Sequence, residues 1–132
     1  MLVKSYRDLE VWQRTFEAGM EIFSVSKSFP RDEAYPLTDQ IRRSSRSVSA
    51  NVAEAWESRR YEALFISKLT LAAGEVAETQ NWLDHAMGCQ YLRADDGLEL
   101  RDGYDRIRRT IHSMIAHSSK WCVAVPASDR SP

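Results

Sequence analysis

The sequence has few of the residues that interrupt helices or crosslink small domains. Among 132 residues there are five glycines, four prolines and two cysteines. So few helix-breaking residues favour long helices over a turn-rich sheet. Cys89 and Cys122 are far apart and form no Cys-x-x-Cys motif, which argues against a disulfide scaffold or a zinc site. We therefore expect a helical protein with reduced cysteines.

The chain also lacks long apolar runs and an excess of charge of either sign. No uninterrupted apolar stretch approaches the roughly 20 residues that a membrane span needs. The start of the chain is charged from Lys4 onward and has no apolar signal-peptide core, so we expect a cytoplasmic protein without a membrane partner. The 18 basic and 19 acidic residues give a formal net charge of −1. Any binding of nucleic acid would therefore have to come from a local basic patch.

Apolar residues recur at helical spacing in four segments. The predicted helices span about residues 8–28, 36–57, 61–87 and 95–118. Pro30 ends the first helix, Pro36 or Thr38 opens the second, and Gly88 ends the third. Short connections between helices of this length are typical of an all-α, up-and-down four-helix bundle. We assign residues 1–120 to the bundle domain and residues 121–132 to a C-terminal tail.

Two of these helices carry more apolar surface than one bundle can bury. The first helix has one stripe of Leu9, Trp12, Phe16, Met20 and Phe23, and a second of Val11, Thr15, Ala18, Ile22 and Val25. The third helix has a long core seam and an additional line through Leu64, Leu71 and Trp82. Because a bundle helix normally buries one stripe, we predict that the bundle self-associates into a homo-oligomer. The candidate interface residues are Val11, Ala18, Ile22, Leu64, Leu71 and Trp82.

The second helix combines a narrow apolar stripe, many small residues and a dense group of arginines. Its serines and alanines allow neighbouring helices to approach closely, which predicts a central position. The candidate nucleic-acid-binding residues are Arg42, Arg43, Arg46, Arg59 and Arg60. These arginines form either a solvated, ion-paired face or a set of phosphate contacts. No base-reading motif accompanies them, so any binding of RNA or DNA should be sequence-poor.

The remaining polar residues give no combination suited to catalysis. Glu54, Glu75 and Glu78 lie near small or apolar residues, and we expect them to form structural ion pairs with the arginines of the second helix. The three histidines occur in no metal-binding motif, and no phosphate loop or nucleophile motif is present. We therefore expect no metal, no cofactor and no enzymatic activity.

Several segments resemble a known family of four-helix-bundle proteins. The matching segments are Tyr6–Leu9 with Val11–Gln13, Phe29–Pro30, Leu37–Arg43, Ser47–Glu54, and Ala73–Glu75 with Ala77–Glu78. They resemble the 23S rRNA-intervening sequence protein family, whose relatives include the accessory variability determinant proteins of diversity-generating retroelements. One departure is Ala55, where many members have a glycine, so the helix should continue through this position.

The resemblance implies a closed ring, usually of five bundles, with no known catalysis. It also implies weak nucleic-acid binding in at least one branch of the family. Two functions therefore remain open for this chain. The first is a non-enzymatic oligomeric scaffold that binds nucleic acid weakly and without sequence specificity through repeated arginines. The second is a protein–protein assembly module with no nucleic-acid role.

Overall fold

Four long helices form the protein, as the sequence predicts. The computed structural model describes residues 2–123. In chain order the helices are α1 (Glu10–Ser26), α2 (Asp39–Glu57), α3 (Glu62–Gly88), α4 (Ala94–Ala116) and the short α5 (Ser118–Trp121). Helix α2 packs between α1 and α3, and α4 packs against α3 and α1. No strand occurs within residues 2–123, and the part of the predicted tail from residue 124 onward lies outside the described residues.

A short turn precedes α1 and delays its start. The Ser5 hydroxyl accepts a hydrogen bond from the backbone N–H of Arg7, and the Asp8 carboxylate accepts one from the N–H of Ser5. This capping box holds Tyr6–Asp8 in a 3-10 turn. The backbone N–H groups of Lys4 and Ser5 lower the pKa of Asp8. The first α-helix therefore begins at Glu10 rather than at Asp8.

The connection before α2 shows why the predicted cap at Thr38 is wrong. A π-helical turn over Ala34–Thr38 runs directly into α2, and the N–H of Asp39 bonds to the carbonyl of Ala34. Thr38 therefore has helical angles (φ −60°, ψ −50°) and its side chain caps nothing. The end of α3 follows the prediction, because Gly88 is the last helical residue.

The core surrounds α2 and contains hydroxyl groups as well as hydrocarbon. Ile41, Val48 and Val52 point inward from α2 and are almost completely buried. Ser44 is also buried, and its Oγ lies 2.8 Å from Oγ1 of Thr79 on α3. A buried hydroxyl must find a partner, and this pair satisfies that need between α2 and α3. The small residues of α2 thus have the packing role that the sequence predicts.

The structure corrects two of the interface residues that the sequence predicts on α1. Val11 and Ile22, predicted at the oligomer interface, are only 5% and 0% exposed. They belong to the core of the subunit, so they are not available to a second copy. In the other stripe Phe16 and Met20 are 49% and 50% exposed, whereas Leu9 is only 4% exposed. Both stripes are apolar, and packing against α2 and α4 decides which one turns inward.

Candidate assembly face and basic surfaces

Several large apolar side chains are exposed on α1 and α3, whereas α4 exposes one, Leu98. We call these groups the apolar flanks: Phe16 and Met20 on α1, and Leu64, Leu71 and Trp82 on α3. Leu64 and Leu71 are 43% and 52% exposed, whereas Trp82 is half-buried. The three candidate interface residues predicted on α3 therefore reach the surface.

The two apolar flanks border the same helix. Phe23, on the stripe of Phe16 and Met20, lies beneath the guanidinium of Arg42 from α2. Glu78, one turn before Trp82, bonds to Arg43 on the opposite side of α2. One face of the bundle therefore carries α2 in its middle with an apolar flank on each side. The predicted interface residue Ala18 lies elsewhere, since it lines a groove between α1 and α4.

Two polar atoms on α3 have no hydrogen-bond partner within the described residues. They are Oε2 of Glu75 and Nε1 of Trp82, and both are shielded from solvent. Burial raises the pKa of Glu75, and the hydrogen bond and the charge of Glu78 raise it further, while Arg43 opposes these effects. Unpaired buried polar atoms are uncommon and costly. The hydrogen-bonding groups at the α3 flank are therefore not all paired in a single subunit.

The three arginines of α2 are occupied by contacts inside the subunit. Nε of Arg42 donates to Oγ of Ser26 at 2.8 Å, and its guanidinium lies 4.7 Å from the ring centre of Phe23. Arg46 also lies over Phe23, at 5.9 Å. Arg43 forms an ion pair with Glu78 at 2.8 Å. The cation–π contacts with Phe23 hold two of these arginines against α1.

Arg59 and Arg60 lie at the end of α2, far from the first three arginines. The guanidinium of Arg59 stacks 3.3 Å from the ring centre of Trp56, and its Nε donates to the Trp56 carbonyl at 2.8 Å. Arg60 is exposed. At 1.5 Å per helical residue, Arg42 and Arg59 are separated by about 25 Å along the axis. The five candidate arginines therefore do not form one continuous patch.

The expected glutamate pairs are present in part. Glu78 pairs with an arginine of α2, as predicted. Glu54 instead pairs with Lys68 of α3 at 3.2 Å, because that lysine lies on the neighbouring helix. Glu75 has no salt bridge in residues 2–123, which corrects its predicted pairing with an arginine.

A groove between α1 and α4 contains charged residues that the sequence patterns did not single out. One part of it is lined by Glu17, Glu21 and Glu99 together with Arg14 and Arg106. Arg109 lies in its basic part, together with Arg14 and Arg106. The arginines come from two helices that are distant in sequence, so only their packing brings them together. Burial of the nearby Tyr104, reinforced by the charge of Glu21, raises the pKa of that phenol.

The described residues offer no grouping that suggests a metal centre or a membrane span. No three His, Cys, Asp or Glu side chains between residues 2 and 123 converge to hold a metal ion. None of the helices in that range combines the length and the apolar character needed to cross a bilayer.

These features define an all-helical bundle protein with exposed apolar flanks and an arginine-rich surface. The family description "23S rRNA-intervening sequence protein" matches residues 7–113, and the chain belongs to that family. A crystal structure from Bacteroides thetaiotaomicron, described as a protein with unknown function from the S23 ribosomal protein family, is similar in fold. It shares 27% identity and a TM-score of 0.73, with 80% of this chain and 97% of that chain covered. Comparison with curated proteins gave no match.

Proposed function

We propose that the protein is a non-enzymatic scaffold that assembles into a closed homo-oligomer. The exposed apolar flanks of α1 and α3 are the observation that carries this proposal. The exposure of four large apolar side chains costs free energy in water: Phe16, Met20, Leu64 and Leu71. Full burial of one such side chain that was fully exposed stabilises an assembly by about 1.5–3 kcal/mol. A partner copy supplies that burial most simply.

The two flanks differ in composition, which suits contact between unlike flanks of neighbouring copies. Aromatic and sulfur-containing side chains make up the α1 flank, whereas the α3 flank has two leucines and Trp82. Contact between the α1 flank of one copy and the α3 flank of the next is heterologous, and such contacts form a ring when the rotation closes. A neighbour would also offer partners to Nε1 of Trp82 and Oε2 of Glu75, which have none in the described part of the subunit. The expected number of five subunits rests on the family resemblance.

Light scattering on a size-exclusion column at micromolar concentration tests the assembly. A pentamer gives a mass near five times the 15.2 kDa of one chain. A stable monomer under these conditions would overturn the proposal. A trimer or tetramer would overturn only the subunit number.

We further propose that the assembled ring binds RNA or DNA weakly. The support is the arginine-rich surface, which ring symmetry would repeat once per subunit; linked weak sites gain roughly 10²–10⁴ in avidity. Fluorescence anisotropy with a labelled mixed-sequence oligonucleotide at low salt measures it. Binding should weaken steeply as salt rises, because phosphate contacts release counterions. Complete absence of binding by the intact oligomer would remove this part of the proposal.

A protein–protein assembly module is the second candidate function. It is favoured by the contacts of Arg42, Arg43 and Arg59, which engage partners inside the subunit and leave less of each guanidinium for phosphate. The double variant Arg59→Glu with Arg60→Glu tests whether this end of the bundle contributes to oligonucleotide binding. If the oligomer forms but binds the oligonucleotide negligibly, with or without these substitutions, the assembly module is the better description of the function.

A further inference from the structure

Three arginines from two helices converge at the basic end of the groove between α1 and α4. Arg14 comes from α1, and Arg106 and Arg109 come from α4. The hydroxyl-bearing residues Thr110 and Ser113 complete the lining of a space of about 360 Å³. This groove lies on the side of α1 that faces α4, away from the flank formed by Phe16 and Met20.

Arg106 and Arg109 form fewer salt bridges inside the subunit than Arg101 and Arg108, the other arginines of α4. Arg101 pairs with Asp84, and Arg108 pairs with Asp105. In contrast, neither Arg106 nor Arg109 forms a salt bridge with any carboxylate in the described range, although the charge of Arg109 contributes to the lowered pKa of Asp105.

Arg14 has one partner, and that partner is easily exchanged. It pairs with Glu10 at 2.6 Å, but the two side chains are 52% and 76% exposed. Exposed pairs of this kind contribute little to stability. A multiply charged ligand can therefore compete for the Arg14 guanidinium without breaking a buried contact.

The charges around the groove favour an anionic group at the Arg109 end. Arg14 and Arg106 also border the adjoining part of the groove, where three glutamates oppose their charge, whereas no carboxylate of the described residues lines the part that contains Arg109. Guanidinium groups form paired hydrogen bonds with the oxygens of phosphate, and the Ser113 hydroxyl can add a donor, whereas that of Thr110 already donates to the Arg106 carbonyl. We infer that the basic end of the α1/α4 groove binds a phosphate group.

The source of that phosphate is either the backbone of a nucleic acid or a free phosphate. The nucleic-acid source rests on the binding proposed above, whereas the phosphate site itself does not depend on it. Ring formation is also not required, because all the lining residues belong to one subunit. The two sources are separated by using inorganic phosphate and an oligonucleotide as independent probes.

The test uses the full chain with Arg106→Gln and Arg109→Gln combined. Arg31→Gln with Arg93→Gln is the matched control, because it removes the same charge from exposed positions outside the groove. Glutamine is a good helix former, so both proteins should keep their helical circular dichroism spectra. A single Arg109→Gln variant replaces the double variant if the latter does not fold. All proteins are compared with the unaltered chain in two measurements.

The first measurement is the melting temperature as inorganic phosphate is added at constant ionic strength. Specific binding raises the melting temperature, and the general salting effect of phosphate acts on every variant alike. In the unaltered protein and the control, we expect phosphate to raise the melting temperature by more than this general effect. In the groove variant, we expect the additional rise to be lost. The second measurement is anisotropy of a labelled mixed-sequence RNA 20-mer. Here we expect the groove variant to bind about tenfold more weakly than the control, with a salt slope smaller by about 2.

Each outcome decides the inference. Loss of both responses supports a site for nucleic-acid phosphate, and loss of the melting response alone supports a site for free phosphate. If the groove variant behaves like its control in both measurements, the inference is wrong. If oligonucleotide binding is lost in the Arg59→Glu, Arg60→Glu variant but unchanged in the groove variant, the phosphate of nucleic acid is bound elsewhere and the proposed function stands without this site.

Discussion

Glu75 is a carboxylate surrounded by groups that disfavour its charged form. Burial is the main cause of its raised pKa, followed by the hydrogen bond and charge of Glu78, while Arg43 acts in the opposite direction. Because the folded pKa lies above the ordinary value of 4.5, the folded state holds this proton to higher pH than the unfolded chain does. Stability associated with Glu75 is therefore present at low pH and is lost as the pH rises through the folded pKa.

The substitution Glu75→Gln should remove this loss of stability. The amide stays neutral and can still donate a hydrogen bond to Glu78, so we expect the variant to be more stable than the unaltered protein at pH 7, by about 1 kcal/mol as for one unsatisfied buried group. At pH 4 the two proteins should be similar. Urea unfolding between pH 4 and pH 8 measures both effects, with Glu57→Gln as a control at an exposed position. If the free energy of unfolding of Glu75→Gln depends on pH in the same way as that of the control, the assignment of a raised pKa to Glu75 is wrong.

The environments of single arginines are beyond what the sequence pattern determines. The sequence predicts that glutamates and arginines of neighbouring helices pair, and Arg43 with Glu78 does so. It does not predict that Phe23 lies beneath Arg42, because this contact depends on the rotation of α1 against α2. It also does not place Lys68 beside Glu54. Charge complementarity specifies the kind of partner, and packing selects the individual residue.

At the scale of the helix, the two leucines Leu69 and Leu71 of α3 make a matched pair. Leu69 is fully buried, whereas Leu71 is 52% exposed on the α3 flank. Leu69→Ala should destabilise the subunit by about 2–5 kcal/mol through the cavity that it creates. Leu71→Ala should change subunit stability by less than about 1 kcal/mol and should instead reduce the oligomer fraction.

Two measurements on the same samples check this pair. Urea unfolding gives the stability difference, and light scattering gives the oligomer mass at several concentrations. Trp82→Ala should behave like Leu71→Ala in the scattering experiment, with an added loss of stability because Trp82 is half-buried. If Leu71→Ala leaves the mass unchanged at every concentration tested, the α3 flank is not the assembly face.

Helix positions are largely predictable here, and helix rotations are not. Pro30 and Gly88 give the ends of α1 and α3 to within a few residues, because proline and glycine restrict or release the backbone locally. The inward stripe of α1 was not predictable, since its two stripes have similar apolar content. A single hydrophobic face, as on α4, gives the rotation directly. Surplus apolar surface on α1 and α3 indicates an interface, but the tertiary packing decides which residues belong to it.

For the whole molecule, packing divides the surface into regions that the sequence does not separate. The apolar flanks border α2, while the basic groove residues Arg14, Arg106 and Arg109 lie between α1 and α4. The five arginines that are close in sequence are instead spread along about 25 Å of helix. Net charge and local arginine density report neither arrangement. The groove depends on the packing of α1 against α4, and the spread of the five arginines follows from the rise of the helix.

The short Ser58–Tyr61 connection between α2 and α3 has a consequence for the folding pathway. These helices are adjacent in sequence and share the most extensive helix–helix contact in the bundle. Closing a short loop costs little chain entropy, so we expect the transition state for folding to contain the α2–α3 hairpin while the α1–α4 contact is still unformed. In stopped-flow experiments, Val52→Ala and Val76→Ala should therefore slow folding, whereas Ile107→Val should mainly accelerate unfolding. The reverse distribution would mean that the chain termini meet before its centre is organised.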